Sequence, residues 1–105
     1  MSQMNMQQMM KQARKMQEQL EAAQAKLPDI EVTSSTGGGM VKVVATADLR
    51  VKSITIDPEA LDHDDVEMLQ DMVLTAVNDA LESAQDAASR QVSSVTGGLS
   101  IPGLM

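Results

Sequence analysis

The sequence contains no Phe, Trp or Tyr, and it contains no Cys. Without aromatic rings the chain cannot stack bases as single-strand-binding proteins do, and its core has to be filled by aliphatic and Met side chains. Without Cys it has no disulfide framework, no thiolate metal site and no cysteine nucleophile. It also lacks a long apolar run and an apolar signal segment, which predicts a cytoplasmic protein without a membrane partner.

Histidine is nearly absent too, since His63 is the only one. No nucleophile stands near it at a recognisable spacing, and the neighbouring Asp62, Asp64 and Asp65 are typical of a solvated helix start rather than a metal site. Gly37-Gly38-Gly39 joins two predicted strands, whereas a phosphate loop joins a strand to a helix. We therefore predict a protein that is not an enzyme and holds no cofactor and no metal.

Positive charge is scarce and unevenly placed. The chain has 8 Lys and Arg against 15 Asp and Glu, which gives a net charge of −7. Residues 57–86 contain only acidic charged side chains, whereas most of the charged residues in the first 26 are basic. This balance argues against a generally basic nucleic-acid-binding surface.

The pattern along the chain predicts an α+β fold with a long N-terminal helix, a three-stranded antiparallel meander and a long C-terminal helix. Good helix formers without Gly or Pro predict the first helix over residues 4–27. Asp57-Pro58 is a helix-start signal, after which we expect one short turn, a restart at Asp62 and an end near Ser93. The single predicted domain, residues 1–105, has four parts: a helical arm at 1–28, the sheet at 29–57, the C-terminal helical region at 58–94 and a flexible tail at 95–105.

Three strands are predicted from alternating side chains and turn residues. The Gly37-Gly38-Gly39 run supplies the first turn because glycine tolerates positive φ, and Asp48-Leu49 supplies the second. The alternation is less regular in the third strand, which predicts a bulge or a twist near Val51. A wide apolar stripe on the last helix, formed by Val66, Leu69, Val73, Ala76, Val77, Ala80, Leu81 and Ala84, is expected to lie on the sheet.

The first helix carries a narrow apolar seam whose spacings alternate between three and four residues. The seam consists of Met6, Met9, Ala13, Met16, Leu20, Ala23 and Leu27. Because the rest of this helix is polar, it suits an arm that packs on another helix, and Met9, Ala13, Met16 and Leu20 are the predicted dimer and arm-packing residues. The Met-rich start either packs on a second subunit or offers an adaptable binding surface.

Four segments in order resemble the YbaB/EbfC family of bacterial nucleoid-associated proteins. They are MMKQARKMQEQLEAAQ, GGGMVKVVATADLRVKSITIDPEAL, EMLQDMVLTAVNDALESAQ and GGLSIPGLM, which together cover nearly the whole chain. The resemblance implies a homodimer whose first helices project as paired arms, sequence-tolerant binding to double-stranded DNA, and a role in nucleoid organisation or gene expression. It also places the protein in the nucleoid.

Given that resemblance, Lys11, Arg14 and Lys15 are the candidate DNA-binding residues, although the same three side chains also fit an ordinary solvated helix face. Two chains would offer six cations, which predicts a salt dependence of log K no steeper than about −5. Base-specific readout is not predicted. The alternative function is a dimeric protein–protein interaction module that uses its Met-rich arm tips or acidic helices, with marginal DNA binding.

Overall fold

The structure is a computed structural model that describes residues 5–97. In that range it has two long helices and one three-stranded sheet, in the order that the sequence predicted. The elements are α1 (Met6–Ala25), β1 (Glu31–Thr36), β2 (Val41–Thr46), β3 (Arg50–Ile56) and α2 (Val66–Gly97). The predicted α+β fold class is confirmed.

The ends of α1 follow from its sequence. At its start the side chain of Asn5 accepts a hydrogen bond from the backbone N–H of Gln8 at 2.8 Å, which caps the first turn. At its end the chain tightens into a 3-10 turn over Leu27–Asp29, because Pro28 has no N–H to continue an α-helix. The helix is therefore slightly shorter than predicted, and Met4, its predicted first residue, lies outside the described residues.

The sheet has the strand order β1-β2-β3, and both pairs are antiparallel. All three residues of the Gly37-Gly38-Gly39 turn have positive φ, as expected for a turn that needs glycine. In the second pair Val44 lies opposite Ser53, but Ala45 lies opposite Val51, so that Lys52 is an extra residue on β3. The predicted bulge near Val51 is thereby confirmed.

Helix α2 differs from the prediction at both ends. It begins at Val66 and not at Asp62, because the Asp62 carboxylate first accepts from the N–H of Asp64, while Asp65 accepts from Met68 at 3.1 Å and caps the helix. It continues past Ser93 to Gly97, so the first three residues of the predicted tail are helical. Residues 98–105 of that tail lie outside the described residues.

The core lies between α2 and one face of the sheet. Three alanines of α2 and three residues of β2 form it, all of them fully buried: Ala76, Ala80, Ala84, Val41, Val43 and Ala45. Because alanine has a small side chain, the backbone of α2 approaches the sheet closely. It comes close enough for side chains of β1 to form hydrogen bonds to it. The hydroxyls of Ser34 and Thr36 donate to the carbonyl oxygens of Ala76 at 2.5 Å and Met72 at 2.9 Å. The predicted stripe faces the sheet as expected, except that its first residue, Val66, stays exposed.

The core is uneven across the sheet, because α2 lies over β1 and β2 and leaves most of β3 open. Val51 and Ile54 point to the same side as the buried residues of β2, to which they are paired, yet they are 39% and 47% exposed. Leu74 of α2 is also exposed. The carbonyls of Met72 and Ala76 face β1. At 3.6 residues per turn Leu74 lies on the opposite flank of α2, which is the side of β3. These residues, with Ile56, are called the β3 surface below.

Candidate nucleic-acid interface

The two helices meet as an antiparallel pair beyond the sheet. Met9 and Met16, from the first half of α1, share a groove with Val95 near the end of α2. Gln24, at the other end of α1, shares a second depression with Gln85. This pair, residues 5–26 and 84–97, is called the arm. It makes the molecule long and narrow, with dimensions of 76 × 26 × 16 Å.

The sequence-predicted cations all lie on the arm and all are exposed. At 3.6 residues per turn, Lys11, Arg14 and Lys15 fall on the side of α1 roughly opposite the apolar seam. Lys15 also borders the groove between the two helices. The ion pairs of the described residues join Arg50 to Asp48 and Lys52 to Glu31, so no carboxylate neutralises the three arm cations within residues 5–97.

The arm carries a further cation that sequence reasoning missed. Arg90 is exposed and lies on the part of α2 nearer the sheet, because its neighbours Ser89 and Val92 share the second depression with Gln24. It was overlooked because α2 was treated as one acidic helix. The sequence did contain a signal for it. Asp86 is the last acidic residue of the chain, and Arg90 is the only charged side chain that follows it.

Folding therefore separates charge along the molecule. The outer part of the arm, residues 5–17 and 93–97, is called the arm tip. It contains three cations, Lys11, Arg14 and Lys15, and no acidic residue, and Glu18 and Glu21 follow it on α1. Since the whole chain carries −7, the residues outside the tip carry −10. A strongly acidic protein thus presents one end that is wholly basic, and a phosphate backbone is the kind of ligand that this end can attract.

The predicted packing seam faces α2 of the same chain, but the contact is incomplete. Leu20 and Met16 are half-buried, whereas Met9 and Ala13 remain exposed. Nearer the sheet, Ala23 is the one residue of α1 that is fully buried within residues 5–97. Towards the tip the helices leave a groove of about 1080 Å³ between them. The structure thus brings these residues to an intrachain helix contact and leaves open their predicted role between subunits.

Other kinds of site find no support in the described part of the chain. Residues 5–97 contain no group of three His, Cys, Asp or Glu side chains that could hold a metal ion. None of the helices described is long and apolar enough to cross a membrane. His63 lies in the irregular segment before α2 and is exposed.

Known proteins resemble this chain over nearly its whole length. Residues 1–99 match the model of the YbaB/EbfC DNA-binding family. A nucleoid-associated protein of Pelotomaculum thermopropionicum is 54% identical over 100 residues, and one of Desulforamulus reducens is 52% identical, each alignment covering 95% of both chains. The crystal structure of an uncharacterized Helicobacter pylori protein has the same fold, with a TM-score of 0.76 and 24% identity over 90% of this chain and all of that one.

Proposed function

Because this chain belongs to the YbaB/EbfC DNA-binding family, we propose that it is a homodimeric nucleoid-associated protein that grips double-stranded DNA with its two arm tips. It acts without catalysis or cofactor, in the nucleoid and hence in the cytoplasm, and affects nucleoid organisation or gene expression. The single observation that carries the proposal is the +3 charge of the arm tip on a chain of net charge −7.

Phosphate contacts supply the affinity. The three tip cations are exposed, and long Lys and Arg side chains on a helix surface can reach DNA phosphates. Two tips together offer six cations. If all of them contact phosphates, log K falls with log salt with a slope of about −5.4. Apart from Glu18 and Glu21 on α1, the acidic residues lie away from the tips, which limits their repulsion of DNA at physiological ionic strength.

Low sequence specificity follows from the same side chains. Phosphate contacts fix position on the duplex but carry no sequence information, whereas base readout needs side chains inserted into a groove. The chain has no aromatic residue on which a base could stack. The tip therefore suits contact along the backbone of many sequences.

Dimerisation is supported by the β3 surface. A single chain leaves Val51, Ile54 and Leu74 exposed around one sheet edge, and an open apolar strand edge is a site where another chain adds. A second copy that covers this surface would bury the apolar side chains of both subunits. The arms would then extend from a common centre, with Leu20 and Ala23 packing each α1 against its own α2.

Fluorescence anisotropy with a labelled duplex at low salt tests the proposal. We expect Lys11→Glu, Arg14→Glu and Lys15→Glu combined to abolish binding, because they turn a basic tip into an acidic one. The charge-matched control combines Lys26→Glu, Lys42→Glu and Arg50→Glu, which change the net charge equally outside the tip. We expect it to keep most of the affinity. Equal loss in both variants, or no binding by the wild-type protein, would refute the proposal.

A protein–protein interaction module remains the second candidate, because the structure exposes Met6, Met9 and Met10 near the start of α1. Methionine side chains adapt to different apolar partners. If the wild-type protein does not bind the duplex even at low ionic strength, this second function is the one that the exposed methionines favour.

A further inference from the structure

Strand β1 forms one edge of the sheet, and the proposed dimer contact occupies the other edge at β3. The N–H of Ala47 donates to the carbonyl of Ile30 at 2.9 Å, and from this bond onward every second residue of β1 hydrogen-bonds to β2. Glu31, Thr33 and Ser35 alternate with these residues, so their backbone N–H and C=O groups point away from β2. Within residues 5–97 these backbone groups have no hydrogen-bond partner.

The β1 edge has few of the features that protect exposed strands from pairing. The strand is six residues long, its register with β2 has no bulge, and it contains neither Pro nor Lys. Its only charged side chain, Glu31, is paired with Lys52 of β3. Thr33 and Ser35 are exposed. The edge can therefore accept another extended segment through main-chain hydrogen bonds.

The flank of α2 beside this edge is acidic. The hydroxyl of Thr36 donates to the carbonyl of Met72, so Met72 lies on the β1 side of α2. Asp79 and Asp86 follow Met72 at intervals of seven residues, close to two helical turns each, and therefore lie in the same row. Glu82 lies next to that row, farther from the sheet. All three carboxylates are exposed, and within residues 5–97 none of them forms an ion pair.

The acidic flank decides which occupant suits the β1 edge. If two copies paired through antiparallel β1 strands, both α2 helices would lie on the same side of the joined sheet, and their acidic flanks would repel each other. DNA is repelled by the same carboxylates. An extended segment with basic residues at alternate positions avoids both conflicts, because every second side chain of a strand points to the same face.

We propose that the β1 edge binds an extended segment of another protein that is rich in Lys or Arg, and that this segment adds to the sheet as a further strand. Its main chain hydrogen-bonds to Thr33 and Ser35. Its basic side chains face the three carboxylates of α2. This site lies apart from the arm tip, so the proposal holds whether or not the tips bind DNA.

Peptide binding to the full-length protein tests the proposal. The probe is a fluorescein-labelled octapeptide of alternating Lys and Thr, titrated by anisotropy at low salt. We expect saturable binding that weakens as the salt concentration rises. An octapeptide of alternating Glu and Thr is the control, and we expect it not to bind. No binding of the Lys peptide, or equal binding of both peptides, would overturn the proposal.

Two substitutions on α2 test the acidic flank. Asp79→Lys should raise the Kd of the Lys peptide about tenfold, because an attractive charge becomes a repulsive one. Glu67→Lys is the control, since it changes the net charge equally but lies half a turn around α2 from the buried Ala76. We expect it to leave the Kd nearly unchanged. Equal effects of the two substitutions would show that net charge, rather than the flank beside β1, governs binding.

Two substitutions at Thr33 test the strand edge. Thr33→Pro removes a backbone N–H that points away from β2, so β1 keeps its bonds to β2 while the edge loses a donor. We expect the Kd to rise about tenfold, whereas Thr33→Val, which keeps the N–H, should bind as the wild type does. An unchanged Kd in Thr33→Pro would refute strand addition. A lower mass by light scattering in Thr33→Pro alone would assign the edge to a second copy. If Thr33→Pro does not fold, the α2 pair decides.

Discussion

Arg14 gives the sharpest test of the basic tip, because it is exposed and lies between the other two tip cations in the sequence. Arg14→Ala removes one cation per chain and therefore two from a dimer. If each cation neutralises one phosphate, the slope of log K against log salt changes from about −5.4 to about −3.6. This counterion term vanishes at 1 M salt. The expected loss of affinity is therefore about 60-fold at 0.1 M salt and about 20-fold at 0.2 M salt.

The assay is a duplex titration by fluorescence anisotropy at four or more salt concentrations. Lys42→Ala is the matched control, since Lys42 is an exposed cation near the start of β2, away from the arm, and its loss changes the net charge equally. We expect the control to keep the wild-type slope. An unchanged slope in Arg14→Ala would show that Arg14 makes no phosphate contact. Equal changes in both variants would show that net charge, rather than the tip, governs binding.

Two further predictions concern the sheet. Ile54→Lys places a charge in the proposed dimer contact, so light scattering should show a monomer. The control Ser53→Lys, whose side chain lies on the other side of β3, should stay dimeric. A dimer in both variants would exclude the β3 surface as the dimer contact. Leu49 has φ of +66° and is 54% exposed, and Asn tolerates this left-handed conformation better. Leu49→Asn should therefore raise the free energy of unfolding by about 1 kcal/mol in urea titrations. Leu61→Asn is the control, since Leu61 is similarly exposed but has φ of −83°, and an equal gain there would contradict the reasoning.

Local patterns predicted the elements well because each depends on neighbouring residues. The glycine turn needs positive φ, the bulge near Val51 breaks a two-residue alternation, and the stripe centred on Ala80 repeats with the helix period. The start of α2 was predicted too early because three aspartates, Asp62, Asp64 and Asp65, offer several capping positions. Asp65, rather than Asp62, supplies the cap of α2.

The features that could not be predicted from the sequence depend on contacts between distant segments. Periodicity identified the seam through Met16, but it did not say which helix lies opposite, and the structure shows α2 of the same chain there. Arg90 lies beside α1 only because α1 runs back along α2. The exposure of Ile54 likewise depends on how far α2 extends across the sheet, which no local pattern encodes.

The length of α2 links the core to the arm mechanically. The helix has 32 residues and spans about 48 Å, and it contains neither Pro nor Gly before Gly97 that would act as a hinge. Its first half is fixed by Ala76 and Ala80 against the sheet, so the second half behaves as a lever about 20 Å long. A change of about 6° in the packing angle would move its end by roughly 2 Å. Alanines that never approach DNA therefore set the spacing and direction of the basic tips, and substitutions in the core should alter DNA affinity even where the protein stays folded.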